Sequence, residues 1–117
     1  MRTDLGRFME GYVLDTTLLI KAVVDLGTGQ GQDVTPWIDG RELVFVRGKD
    51  GQGPGFLRVL PQPNAVVLSF PRGSEIPDPL KRMKGVPSSR TRVTVRAISE
   101  LDPYLRRVVA AAYSLGA

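Results

Sequence analysis

The chain has 117 residues, 42% hydrophobic and 24% charged, the make-up of one globular domain spanning residues 1–117. It holds no cysteine and no histidine, which excludes disulfides and thiol nucleophiles and removes the usual ligands of zinc and haem and the base of a Ser-His-Asp triad. The formal charge of +4 is unevenly spread: residues 1–80 carry 8 Lys/Arg against 10 Asp/Glu, and residues 81–117 carry 8 against 2.

The N-terminus, Met1-Arg2-Thr3-Asp4, runs into Gly, Arg and Glu rather than an apolar signal core. The apolar runs Val66–Leu68 and Val108–Ala112 are far too short to span a bilayer, so a cytoplasmic protein without a membrane partner is expected. Behind Asp4, a candidate N-cap, the residues Leu5, Phe8, Met9, Tyr12 and Val13 fall at helical spacing, weakened by Gly6 and Gly11. A firmer helix is predicted from about Asp15, its cap, to Leu26, with Gly27 as its stop. Leu19, Ile20 and Val23 mark its apolar face.

The connector Gly27–Gln32 has spaced glycines, but helix-glycines-strand is the wrong order for a dinucleotide loop and the full pattern is missing. Val34–Ile38 and Arg41–Arg47 read as strands joined by Asp39-Gly40, a type I′ hairpin dipeptide. The second of them is apolar at Leu43 and Phe45 and also at Val44 and Val46, the pattern of a strand covered on both faces. Gly48–Gly55 is a long loop whose lysine stands in the wrong place for a phosphate-binding loop. Phe56–Leu60 is a third strand, Pro61–Asn64 a tight turn, and Ala65–Phe70 a fourth strand.

Asp78-Pro79 opens a short helical turn closed by Gly85, and Asp102-Pro103 opens a C-terminal helix running to about Leu115. Leu105, Val108, Val109 and Ala112 form the buried stripe of that helix, with Arg106 and Arg107 facing away. Between the two pairs lies a last strand, Arg90–Ala97. Period-two geometry sends Thr91, Val93, Val95 and Ala97 to the covered face, and Arg90, Arg92, Thr94 and Arg96 to the open one.

Arg58 and Arg47 on earlier strands could extend this cationic field, with Lys81, Arg82 and Lys84 flanking it and Arg72 at the corner. Such a face suits an anionic partner, nucleic acid or an acidic protein. It also suits a sheet kept soluble by arginine, a reading favoured by the lack of any stacking aromatic among the arginines. The single tryptophan, Trp37, is either a core or rim aromatic or a ligand-stacking residue. For catalysis the parts are thin: Ser88 and Ser89 have no histidine base, and Glu75, Asp78, Glu100 and Asp102 stand where caps and turn formers stand.

Several of these residues carry a resemblance. Val67-Leu68-Ser69-Phe70, Arg72-Gly73, Ile76-Pro77-Asp78-Pro79, Gly85, Arg90 and Arg92, then Leu101-Asp102 and the helix end Ala110-Ala111-Ala112-Tyr113, resemble the YdhG-like domains. These are small domains of unknown function, with YjbR-type kin of frataxin-like arrangement. The likeness covers about residues 34–115 and, loosely, the N-terminal helix. It implies an α+β domain: an antiparallel sheet of about five strands with N- and C-terminal helices packed on one face. The family has no agreed catalytic residues, and some members are labelled iron chaperones by analogy with frataxin. This chain lacks the acidic ridge that label would need on the first helix.

The expectation is therefore a non-enzymatic binding module without a cofactor or metal ligands. Its basic sheet face would carry Arg90, Arg92 and Arg96, with Arg72 and Lys81 nearby. The alternative is a small-molecule or iron-handling domain, with a pocket between Trp37, the sheet and residues 78–85. The chain would be a monomer or a homodimer paired through an edge strand.

Overall fold

The computed structural model describes residues 8–48, 55–78 and 91–115. Five antiparallel strands lie side by side in sequence order: β1 (Val34–Asp39), β2 (Glu42–Arg47), β3 (Leu57–Gln62), β4 (Ala65–Phe70) and β5 (Thr91–Val95). Helix α1 (Leu14–Thr28) precedes them and α2 (Pro103–Ser114) follows. The fold is α+β, with the antiparallel sheet and the two helices that were expected. The turn expected over residues 79–85, the first turn behind Asp4 and the Gly116 stop lie outside the described residues.

Two of the four connections between strands are tight turns. Asp39 pairs with Glu42, so Gly40 and Arg41 occupy the centre of the first turn, one residue later than the Asp39-Gly40 dipeptide suggests. Gly40 takes φ +63°, a conformation that costs glycine little. The second turn is only Pro63-Asn64, because Gln62 pairs with Ala65 and β3 runs on through Pro61. A proline is tolerated there because the last pair between β2 and β3 is Leu43 with Val59, leaving no β2 residue opposite Pro61.

Register sorts the sheet into two faces. Leu43 and Phe45, Leu57 and Val59, Val66, Leu68 and Phe70, and Val95 share one face and join a single core with both helices. Leu19, Ile20, Val23, Val24 and Leu26 enter it from α1, and Leu105, Val108, Val109 and Ala112 from α2. Fully burying one such aliphatic side chain contributes about 1.5–3 kcal/mol, which is what holds the helices to the sheet. Val44 and Val46 are also fully buried but belong to the opposite face, so β2 is covered on both sides as its sequence suggests.

Helix boundaries follow packing more than local signals. Gly27 does not stop α1; the helix passes through it to Thr28 and is capped at Gly29. A Cβ on Gly27 would stand 2.9 Å from the Phe45 ring, so the glycine is there for close approach of helix to sheet. Asp15 is not the cap either: Val13 holds that position without a side-chain bond, and Asp15 lies in the first turn. At α2 the expected cap is present. Asp102 Oδ1 accepts from the Leu105 amide at 2.9 Å, and Pro103 occupies the first helical position.

Strand β5 ends at Val95, two residues before the expected Ala97. The Arg96 amide turns aside to donate to Glu100 Oε1 at 2.7 Å, and exposed Ala97 leads into a 3₁₀ turn, Ile98–Glu100.

Candidate functional site

Of the residues proposed for a cationic face, Lys81, Arg82, Lys84 and Arg90 lie outside the described residues. The structure places Arg47, Arg58, Arg72, Arg92 and Arg96, and it separates them.

Arg47 pairs with Val34 and shares the parity of Phe45, which puts it on the helix side rather than the open face. Its Nε donates to Asp33 Oδ2 at 3.0 Å and its Nη1 to the Tyr113 carbonyl at 3.0 Å. The guanidinium lies 4.3 Å from the centre of the Tyr113 ring, and Tyr113 Oη donates to Asp33 Oδ1 at 2.6 Å. The hydrogen bond from Tyr113, joined by that from Arg47, holds the Asp33 carboxyl below its ordinary range. The same bond to Asp33 raises the Tyr113 phenol, and Asp33 also raises Arg47.

Arg72 is likewise drawn away from the sheet. Its Nε and Nη2 grip the two Glu75 oxygens at 2.7 Å each, and its Nη1 donates to the Leu115 carbonyl at 2.8 Å. Glu75 is held below its usual value by this pairing, and Arg72 above its own. Arg47 and Arg72 thus meet the C-terminal carbonyls of α2, where a helix end carries partial negative charge. Neither extends the cationic field.

Arg58 does stand on the face away from the helices, in a row that runs Val44, Arg58, Ser69, Arg92 across four strands, but that face is not open there, since Val44 and Ser69 are buried. Its charge is already matched: Nη2 donates to Asp39 Oδ2 at 2.7 Å and Nε to Glu42 Oε1 at 3.0 Å. Burial opposes the charged form, but these two hydrogen bonds outweigh it and raise the guanidinium above its ordinary value. Only 11% of the side chain is exposed, so Arg58 works as a brace between β1, β2 and β3.

Arg92 and Arg96 differ from these three. Both are exposed; Arg92 and exposed Thr94 stand on the face away from the helices, and Arg96 follows directly after the end of the strand. Val93 is half-buried and Val95 fully buried on the other side, as alternation requires. Neither guanidinium forms an ion pair among the described residues. Thr94 shares the outer face with Arg92, so an exposed hydroxyl lies beside that cation.

Trp37 shares that face but sits on β1, the opposite edge, across from Val44. Four strand spacings, about 19 Å, separate it from β5, so the structure does not bring it together with the arginines. The side chain is half-buried, and its buried Nε1 has no hydrogen-bond acceptor among the described residues.

The expected pocket between Trp37 and residues 78–85 falls largely outside the described residues. An open cleft of about 720 Å³ lies elsewhere, lined by Phe8, Tyr12, Ile38, Arg41, Pro61 and Pro63 among others. Sequence reasoning missed it. The available signal was the meander itself, which brings the Gly40-Arg41 and Pro63-Asn64 turns to one end of the sheet.

The carboxylates considered for acid–base work are engaged structurally. Glu75 grips Arg72, Asp78 accepts from Tyr104 Oη, Glu100 holds the Arg96 amide, and Asp102 caps α2. Among the described residues, no group of three or more Asp, Glu, His or Cys could hold a metal ion. No described helix is long and apolar enough to cross a membrane. Comparison with family models, curated proteins and solved structures gives no match.

Proposed function

We propose that this chain is a YdhG-like, non-enzymatic binding module of the cytoplasm that uses the outer face of β5 to hold an anionic partner, nucleic acid or an acidic protein. The observation that carries the reading is the division among its arginines. Arg47, Arg58 and Arg72 are each matched by carboxylates, whereas Arg92 on β5 and Arg96 just after it are exposed and form no ion pair among the described residues. Structural arginines would resemble the first three; a surface kept ready for a partner resembles the last two. The α+β arrangement also agrees with what the family resemblance implies.

The test is a titration of labelled oligothymidylate and of polyglutamate at several salt concentrations, with the unaltered chain and with Arg92→Glu plus Arg96→Glu. The unaltered chain should bind at least one of them. For a single strand, loss of two phosphate contacts should flatten the slope of log K against log salt by about 1.4. Absence of binding to both polyanions at low salt overturns the proposal.

A second reading has one observation in its favour. The cleft beside Tyr12 and Arg41 offers apolar walls and an exposed guanidinium, the make-up of a small-molecule site. Thermal stabilisation of the chain by small carboxylates, lost in Arg41→Ala, would support it. A flat response to every carboxylate tried would count against it.

A further inference from the structure

The position of Arg92 on an edge strand and of Arg96 just after it limits which anionic partner they suit. β5 pairs only with β4, and among the described residues no strand pairs with it on its other side. In an antiparallel strand the residues between ladder bonds direct their N–H and C=O groups outward, so an edge strand offers a row of unmet donors and acceptors. The two edges of this sheet are not equivalent. β1 carries Pro36 at its centre, which removes a donor, while β5 has no proline.

We infer that β5 is a site of strand addition for an acidic extended peptide, which would lie antiparallel along its open edge with carboxylates facing Arg92 and Arg96. This rests on the proposed anion-binding role of that face and names the partner. The alternation of β5 dictates the peptide's pattern. One acidic residue opposes Arg92, a small polar residue opposes Thr94, and β-branched residues on the helix side lie beside half-buried Val93 and buried Val95, with a second acidic residue four positions on for Arg96 just past the strand. The backbone ladder ends before Arg96, whose amide is held by Glu100, so Arg96 contributes through its side chain alone.

Nucleic acid fits this place less well. Single strands are held by aromatic platforms beside the cations, and the tryptophan of this face is on the far edge strand. A second copy of the chain fits poorly too. Centring an antiparallel β5 pair on Thr94 would set Arg92 of one copy against Arg96 of the other, and directly opposed like charges are destabilising.

The experiment uses the full chain and an end-blocked fluorescent peptide containing EVTVE, followed by anisotropy. It is repeated with the same peptide N-methylated at alternate amides, with KVTVK in its place, and with oligothymidylate. Saturable, salt-sensitive binding of EVTVE is expected, lost with KVTVK and in Arg92→Glu plus Arg96→Glu. N-methylation, which keeps the charge but removes ladder donors, should weaken binding at least about tenfold, equivalent to about 1.4 kcal/mol. Thermal unfolding checks that the double variant is folded, and the peptide variants test the inference on the unaltered protein. Equal binding of the N-methylated peptide overturns strand addition and leaves charge attraction. Binding of oligothymidylate but not EVTVE overturns the inference while the broader proposal stands. Binding of neither these ligands nor polyglutamate at low salt overturns both.

Discussion

Gly27 shows how a single missing Cβ can outweigh helix propensity. In an isolated helix, alanine there would be favoured over glycine by about 1 kcal/mol. Here the new methyl would meet the buried Phe45 ring at 2.9 Å, and overpacking of a core costs about 1–3 kcal/mol. Gly27→Ala is therefore expected to lower stability, as read from the urea midpoint; a raised midpoint would show that α1 can lift off the sheet cheaply. At the other end of the connector, Asp33, Arg47 and Tyr113 form a pH-dependent latch. Asp33, bonded by Tyr113 and Arg47, and Glu75, bonded by Arg72, are both held below their ordinary carboxyl values. A carboxyl lowered by folding stabilises the fold fully above its unfolded value and loses that contribution as pH falls through the folded one. Stability should thus decline on acidification below about pH 4, and Asp33→Asn should make the decline shallower in an acid titration followed by thermal unfolding. Tyr113 is shifted the other way, above 10.0, so its contribution is retained at neutral pH and lost only in strong alkali.

Among the elements, α2 was the most readable. Its Asp-Pro opening and its stripe of Leu105, Val108, Val109 and Ala112 come straight from capping chemistry and a 3.6-residue period, and all four are buried. Asp102→Ala should lower stability by about 1 kcal/mol, measured by chemical denaturation; an unchanged midpoint would mean that the cap contributes little. β4 was equally legible between its turn and its proline corner. β2 was not. Because Leu43, Val44, Phe45 and Val46 are all apolar, alternation alone does not say which set faces the helices. Arg47 was consequently assigned to the open face, when its parity with Phe45 places it under α2. The corner arginine, Arg72, needed knowledge of where the chain returns, since its partner carbonyl at Leu115 lies 43 residues away. The faces of β5 could be read because its sequence is amphipathic, with Arg92 and Thr94 opposed to Val93 and Val95.

For the whole molecule, placement gives the net positive charge a different meaning from position to position. Three arginines hold elements together: Arg47 and Arg72 at the end of α2, and Arg58 across three strands. The guanidinium groups of Arg92 and Arg96 form no ion pair among the described residues. The most direct measurement is a paired readout on separate variants, thermal unfolding beside polyanion affinity. Arg58→Ala should unfold earlier, having left Glu42 and Asp39 without their buried partner, a loss of about 1–3 kcal/mol. Arg92→Ala and Arg96→Ala should leave the unfolding temperature unchanged and weaken binding to whichever polyanion the unaltered chain holds. The opposite pattern, in which loss of Arg92 or Arg96 destabilises the fold while affinity is untouched, would contradict the account.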